Sequence, residues 1–397
     1  MSQKQANTGK PILILFFVQF LVMVGFGIVI PILPFLVSKM GGTPISLGIF
    51  MAAYSIMQFF FAPFWGRLSD QIGRRPVLLI GLAGYGSTFM LMGLADSLWI
   101  LIAIRALAGV ISSATLPTAM AYLADITDEG PARSKAMGMV GAAMGLGMIF
   151  GPALGGWLGH YSFAAPFFVA GGLALLVMPF AWMLLPETLK KGTNRPVQTR
   201  PKLTLAVVKD PLFVLFVFNF IISFTMAMYE STFAYLAASK VGFGTREMGI
   251  TFTVAGVAGV IIQGGLIGKL VKKFGEASLV AAGAIICAAG LVLILWSGSA
   301  VTIILATVVY MSGSSLMGPT SSSLVTKHAK DGQGVSLGFF QSFGSLGRIL
   351  GPIIGGTLYG LSMGLPYIAG AALLVLMMLF GGRRISGYSF KPAAQEN

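Results

Sequence analysis

The chain has 397 residues, 56% of them hydrophobic and only 10% charged, with a mean hydropathy of +0.88. Soluble globular domains average about 45–50% apolar and about 25% charged residues, so this balance excludes one and indicates an integral membrane protein. A formal charge of +14 would signal nucleic acid in a soluble protein; here its placement along the chain reports topology and leaves no nucleic-acid partner to expect.

Apolar runs of about 20 residues, enough to cross a hydrocarbon core, predict an all-α integral membrane fold of twelve transmembrane helices. They fall at 12–37, 45–65, 76–95, 98–124, 136–160, 163–185, 211–238, 248–270, 277–297, 300–325, 335–360 and 364–382. Lipid offers backbone amides no partner, which requires helices or a closed barrel, and barrel strands would show segments of about 10 alternating residues. The first run follows Lys4 and Lys10 and superficially resembles a signal peptide. Its apolar part exceeds the usual ~7–15 residues and lacks a small-residue cleavage site, so it is read as the first span. With both termini inside, the only basic residues outside are Lys39, Lys240 and Arg246; Arg105 and Arg348 fall within spans, and every other Lys and Arg lies inside. This is the positive-inside pattern, with some contact to anionic membrane lipids.

In chain order, the first span holds Gln19 and the second Tyr54 and Gln58. "GRLSDQIGRRP" (Gly66–Pro76) is predicted as the short loop between spans two and three. There Gly66 and Gly73 permit close backbone approach and a tight turn, and Asp70 is a lone acid among Arg67, Arg74 and Arg75. Alone, this is a topogenic basic loop. The fourth span carries "RALAGVISSA" (Arg105–Ala114) and ends at Asp125. An arginine buried in a membrane is functional by default; the alternative is that Arg105 snorkels to the outer headgroups. "GMIFGPALGG" (Gly147–Gly156) follows on span five. Its Gly147, Gly151, Gly155 and Gly156 let helices approach, and Pro152 favours a kink; in isolation such glycines read equally as plain packing residues. After "PETL", the polar, basic and proline-containing segment to Pro211 is a linker. The expected domains are therefore a bundle at 1–185, a linker at 186–210 and a bundle at 211–397.

Span seven contains "FNFIISFTMAMYESTFAYLAA", with Glu230 well inside it. Helical projection puts Asn219, Ser223, Met226, Glu230 and Phe233 on one stripe, expected to line a water-filled cavity. At 1.5 Å per residue Glu230 lies roughly 6 Å outward of mid-membrane. Every other acid is at a membrane edge, in a loop or in a tail. Desolvation raises a carboxyl's pKa and a nearby cation lowers it, so a carboxyl that alternately meets water and protein can cycle its proton. Facing outward it would take up a proton as substrate leaves; facing inward it would release the proton as substrate binds. Such coupling requires the two ligands to favour opposite states. The alternative is a structural glutamate that stays neutral or ion-paired. Arg348, read as buried in span eleven, is either a substrate or proton-coupling partner or a lock on backbone carbonyls. Gln19, Tyr54, Gln58, Tyr229, Phe233, Tyr310 and Gln341 are candidate cavity residues. The 30 Phe and 22 Met suit promiscuous apolar binding, although most of them pack or face lipid.

Cys287 is alone and His160 and His328 are far apart, so neither a disulfide nor a metal site is expected. No nucleotide-binding Gly-rich Lys motif is present. An enzyme reading has no catalytic constellation to rest on, and the expected energy source is a proton gradient with no cofactor.

The chain is also written twice. "LGMIFGPALGG" (Leu146–Gly156) and "LGRILGPIIGG" (Leu346–Gly356) lie 200 residues apart and share seven of eleven positions. "GRLSDQIG" (Gly66–Gly73) is echoed by "GKLVKKFG" (Gly268–Gly275), and Pro117-Thr118 by Pro319-Thr320, each pair 202 apart. Two six-helix halves in the same orientation follow. Parallel half-repeats with a site between them characterise alternating-access transporters; a duplicated channel or a membrane-embedded enzyme stays open on this ground alone.

The loop after span two, the arginine motif on span four (with Ala108 where glutamine is usual) and the glycine-proline motif on span five resemble signatures of the major facilitator superfamily. The full span-five pattern, "GFGIVIPILP" (Gly25–Pro34) and "PETL" resemble its 12-span drug:proton antiporter family, which holds bacterial multidrug and tetracycline pumps. The resemblance implies a conformational latch of Asp70, Arg74 and Asp125, one-sided because Lys272 stands where Asp70 would repeat. It implies a proton-coupling role for Glu230 and Arg105, beside which Arg348 is a candidate on its own reading, and a single principal proton site, since Val22 and Met23 occupy the place of a tetracycline pump's first-span acid. It further implies a functional monomer in the bacterial cytoplasmic membrane that exports lipophilic drugs, cations included. Export of one physiological metabolite, or a sensor or channel activity, are the alternatives.

Overall fold

The computed structural model describes residues 9–127, 130–189, 212–329 and 333–389, and among them every regular element is a helix. The first half contributes α1 (Gly9–Val29), α2 (Leu33–Lys39), α3 (Pro44–Ile72), α4 (Arg74–Gly93), α5 (Leu98–Ser112), α6 (Thr115–Ile126), α7 (Pro131–Tyr161) and α8 (Ala165–Leu184). The second contributes α9 (Phe213–Val241), α10 (Thr245–Ile261), α11 (Ile267–Phe274), α12 (Glu276–Trp296), α13 (Ala300–His328), α14 (Gln333–Leu361) and α15 (Leu365–Ser389). Among the described residues, ten stretches are long and apolar enough to cross a bilayer, with α5–α6 and α10–α11 each counting as one. α14 is 29 residues long, and α15 begins with the apolar stretch Leu365–Phe380. All twelve predicted spans thus have helical counterparts.

Three spans are interrupted where the prediction drew one rod, and each break has a local cause. Pro31 lacks an N–H, and Ile30 and Ile32 instead donate to Gly27 O and Val29 O at 3.2 and 3.1 Å, tightening the chain between α1 and α2. Between α5 and α6, Pro117 removes the donor that would reach the Ser113 carbonyl, and Ala114 N–H turns to Ile111 O at 3.2 Å. Between α10 and α11 the π-helical turn Ile262–Leu266 contains Gly264 and Gly265, residues that hold a helix weakly.

The predicted loop after span two contracts to one residue. α3 continues through Gly66 to Ile72, and Gly73 alone, at φ +114°, separates it from α4. A Cβ at Gly66 would meet open space, so no close approach depends on that glycine.

Contacts divide the chain into two compact units, one of Met1–Gly42, Ile49–Gln198 and Gly244–Ile250, the other of Thr43–Gly48, Thr199–Phe243 and Thr251–Asn397. The predicted linker lies outside the described residues beyond Leu189. In the first unit α7 is pressed against α1. A Cβ on Gly147 would fall 2.7 Å from Phe20 O and one on Gly151 2.6 Å from Val24 O, while one on Gly155 would strike Ile28 O. Gly156 similarly abuts Gly249. The second unit repeats the device between α14 and α9: Cβ atoms on Gly347 and Gly351 would each lie 2.5 Å from Phe220 O and Phe224 O. Such backbone-to-backbone approach maximises van der Waals contact, the attraction available between helices in lipid. α12 and α13 close on each other through Gly283 and Gly313, and buried Cys287 donates from Sγ to Tyr310 O at 3.2 Å.

Candidate functional site

The expected latch residues come together in the first unit. Gly73 caps α4 in a backbone conformation that L side chains rarely adopt, which delivers Arg74 into a pocket where it is 5% exposed. Its guanidinium donates to Asp70 Oδ1 at 2.6 Å, Ser69 Oγ at 2.6 Å and Asp125 Oδ2 at 3.1 Å. A buried cation is tolerated when it is paired and hydrogen-bonded, and this fan of acceptors gives each of its three nitrogens a partner.

Glu187, from "PETL", completes the cradle. Its carboxylate accepts the backbone N–H groups of Arg74 and Arg75 at 2.9 and 3.1 Å, satisfying donors that a helix start leaves open. A side chain at Gly73 would collide with that carboxylate. Thr188 Oγ1 donates to Asp125 Oδ2 at 3.2 Å and Tyr122 OH to Pro186 O at 2.7 Å, so the Pro186–Leu189 strap is bound to the ends of α4 and α6. Sequence reasoning missed Glu187, Ser69 and Thr188. An acid directly after the sixth span was the available signal for the first.

Lys272 stands where Asp70 would repeat, yet the repeat-related place in the second unit holds an ion pair of its own. In the second unit Lys327 Nζ pairs with Glu276 Oε1, and Ser323 Oγ donates to the same oxygen at 2.8 Å. Glu276 and Lys327 stand 202 positions after Arg74 and Asp125, the offset of the repeat. Comparison by residue identity hid them because both charges are reversed.

Arg105 is 6% exposed and sits among aromatic faces, 4.5 Å from the Tyr54 ring centroid, 5.1 Å from Phe50 and 5.8 Å from Phe26. Snorkelling is not its solution; cation–π contact with three rings is. Its Nε has no hydrogen-bond partner. Tyr54, expected in the cavity, is thus committed to this box, and Tyr85, which donates to Val22 O at 3.2 Å, lies within its field. Gln19 is fully buried with both amide atoms unpartnered, and Gln58 is half-buried on α3.

Glu230 lies on α9, partly accessible, beside an aromatic cluster of the second unit. The Tyr229 and Tyr310 rings are 4.5 Å apart and Tyr229 stacks on Phe233 at 4.8 Å; all three are buried. Arg348 is the cation that acts electrostatically on Glu230. It is exposed, not buried as expected, and donates to Ser345 Oγ at 3.0 Å. The glycine face of α14 turns to α9, which leaves Gln341, Ser345 and Arg348 together on another stripe, where Gln341 too is exposed.

The single polar stripe predicted on α9 divides. Asn219 donates to Phe340 O at 2.6 Å, and Gly344 abuts Asn219 and Ser223, so α14 consumes that end. The Met226 sulfur accepts from Tyr310 OH and Ser314 Oγ at 3.9 and 3.8 Å. Phe233 is core, and Glu230 is the partly accessible member of the stripe that carries a charge.

The Major Facilitator Superfamily model matches residues 15–352. Multidrug resistance protein 2 of Bacillus subtilis is 30% identical over 385 residues, covering 94% of this chain and 95% of that one. The quinolone resistance protein NorA of Staphylococcus aureus is 26% identical over 90% of this chain and 92% of its own. Among solved structures, the human organic anion transporter MFSD10 superposes with a TM-score of 0.68 at 23% identity, over 96% of this chain and 99% of that one, a likeness of fold. The chain belongs to the Major Facilitator Superfamily and is a multi-pass membrane transporter, not an enzyme.

Proposed function

We propose that the protein is a proton-coupled antiporter that exports lipophilic drugs, cations among them, by alternating access across the bacterial cytoplasmic membrane, with both termini inside. The observation that carries this reading is the partly accessible carboxyl of Glu230, set against the buried Tyr229–Tyr310–Phe233 cluster within the field of Arg348. A partly accessible acid serves two ligands at one place: a proton on its oxygen, or the charged group of a cationic amphiphile beside its carboxylate. Competition between them drives exchange. The names of the relatives, multidrug and quinolone resistance proteins, support drugs as the substrate class. The placement of the basic loops supports the orientation. The monomer works without a cofactor, driven by the proton gradient.

The test is drug-induced proton release from purified protein, wild type against Glu230→Gln, with ethidium as probe. The wild type should release protons on ethidium addition and accumulate ethidium against a gradient in proteoliposomes when a pH difference is imposed. The variant should fold and elute as the wild type does, with both activities lost. Full uphill transport by Glu230→Gln would remove this residue from the coupling mechanism.

A further inference from the structure

The two halves build the same cradle with opposite signs. Gly73 and Gly275 each cap a helix start in a positive-φ conformation, at φ +114°, ψ 156° and φ +78°, ψ 158°. Each is followed at once by a charged residue, Arg74 or Glu276, that reaches the end of the helix returning from the far side: Asp125 near the end of α6, Lys327 near the end of α13. In the first unit the cation stands at a helix start and the anion at a helix end. Helix dipoles disfavour that order, because the start carries partial positive charge and the end partial negative charge. The second unit has acid at the start and base at the end, the order that the dipoles favour.

The neighbourhoods match this difference. Arg74 draws in Asp70 as well, and the same helix start draws the Glu187 carboxylate from the Pro186–Leu189 strap. Glu276 holds its place with Lys327 and one hydroxyl from α13, Ser323. The first cradle depends on acids brought from outside its helix pair; among the described residues the second draws on its own helix pair alone.

We propose that Glu276 and Lys327 are positioning residues for transport: a standing clamp between α12 and α13, kept shut through the cycle by its charge order, while the reversed order at Arg74 makes the first-half cradle the releasable one. The proposal rests on the chain being a transporter and is independent of what it carries.

The test uses the full chain in nanodiscs. Nitroxide pairs at Ser278 and Thr326, and in a second sample at Pro76 and Ile126, report the separations of the two helix pairs with and without ethidium. The first pair should give one narrow distance unchanged by ethidium, and the second a broader distribution or one that ethidium shifts. Equal widths with equal responses overturn the proposal, and because widths are compared without ligand, this arm stands even where ethidium is not a substrate. In proteoliposomes Glu276→Gln should lower ethidium kcat roughly tenfold with KM unchanged, and Lys327→Arg should keep wild-type turnover. The swap of Glu276→Lys with Lys327→Glu restores opposite charges in the wrong order and should not restore kcat. Wild-type turnover in Glu276→Gln, or full recovery in the swap, overturns the proposal. Wild-type protein that fails to move ethidium at all counts against drug export instead.

Discussion

Glu187 shows how a residue far along the chain can govern a local structure. It belongs to no helix, yet its carboxylate closes the start of α4 by taking two backbone N–H groups, and the missing side chain at Gly73 makes room for it. A carboxylate at a helix start contributes through both hydrogen bonds and the dipole. Because Glu187 is exposed, Glu187→Gln should cost only roughly 1 kcal/mol. The expected outcome is a lower thermal unfolding midpoint and slower ethidium transport with unchanged ethidium affinity. An unchanged midpoint would mean that water replaces the carboxylate without loss. Arg105 is the contrasting residue, since its partners are ring faces and not acids. Arg105→Lys keeps the charge but loses the planar group that stacks, so transport should fall several-fold; cation–π contacts are worth ~0.5–2 kcal/mol. Wild-type efflux in that variant would show that charge alone suffices.

At the scale of helices, the decisive contacts are made by side chains that are absent. α7 and α1, and again α14 and α9, meet backbone to backbone through glycines spaced four apart. A Cβ at Gly155 has only the Ile28 carbonyl to displace, and backbone does not yield as a flexible side chain does. Gly155→Leu should therefore force α1 and α7 apart, at the upper end of the ~1–3 kcal/mol cost of overpacking or beyond it, and appear as aggregated protein in size-exclusion chromatography. Gly145→Ala, on the same helix but facing open space, should be neutral or slightly stabilising, since alanine favours a helix by roughly 0.5–1 kcal/mol over glycine. Equal behaviour of the two variants would contradict the packing described for α7. Helix existence was readable from hydropathy, because membrane-length apolar runs leave few alternatives. Helix breaks were not: Pro31 and Pro117 interrupt their spans, whereas Pro63, Pro152, Pro179, Pro319 and Pro352 lie inside continuous helices. A proline's effect depends on whether the neighbouring helices hold the chain straight, which the sequence does not state.

Over the whole molecule, duplication explains what was legible and what was hidden. Glycines that must touch backbone can be nothing else, so the span-five and span-eleven motifs survive as matching letters. A charge pair survives equally well with its signs exchanged, which is why Glu276 and Lys327 did not register as a repeat of Arg74 and Asp125. Arg348 escaped for a related reason, its depth being set by the rotation of α14 about its axis. If transport is driven by protons, cells expressing the chain should lose ethidium efflux when an uncoupler dissipates the gradient and keep it when ATPases are inhibited, as followed by fluorescence. Efflux that persists in the uncoupler would point to another energy source.

Cys287 is the chain's one sulfhydryl, enclosed between α12 and α13 with its hydrogen already committed to the Tyr310 carbonyl. Maleimides and other water-borne thiol reagents will find no sulfhydryl to modify on the native surface. The unaltered protein is thus a blank background, on which any newly introduced thiol becomes a single address for a fluorophore or cross-linker.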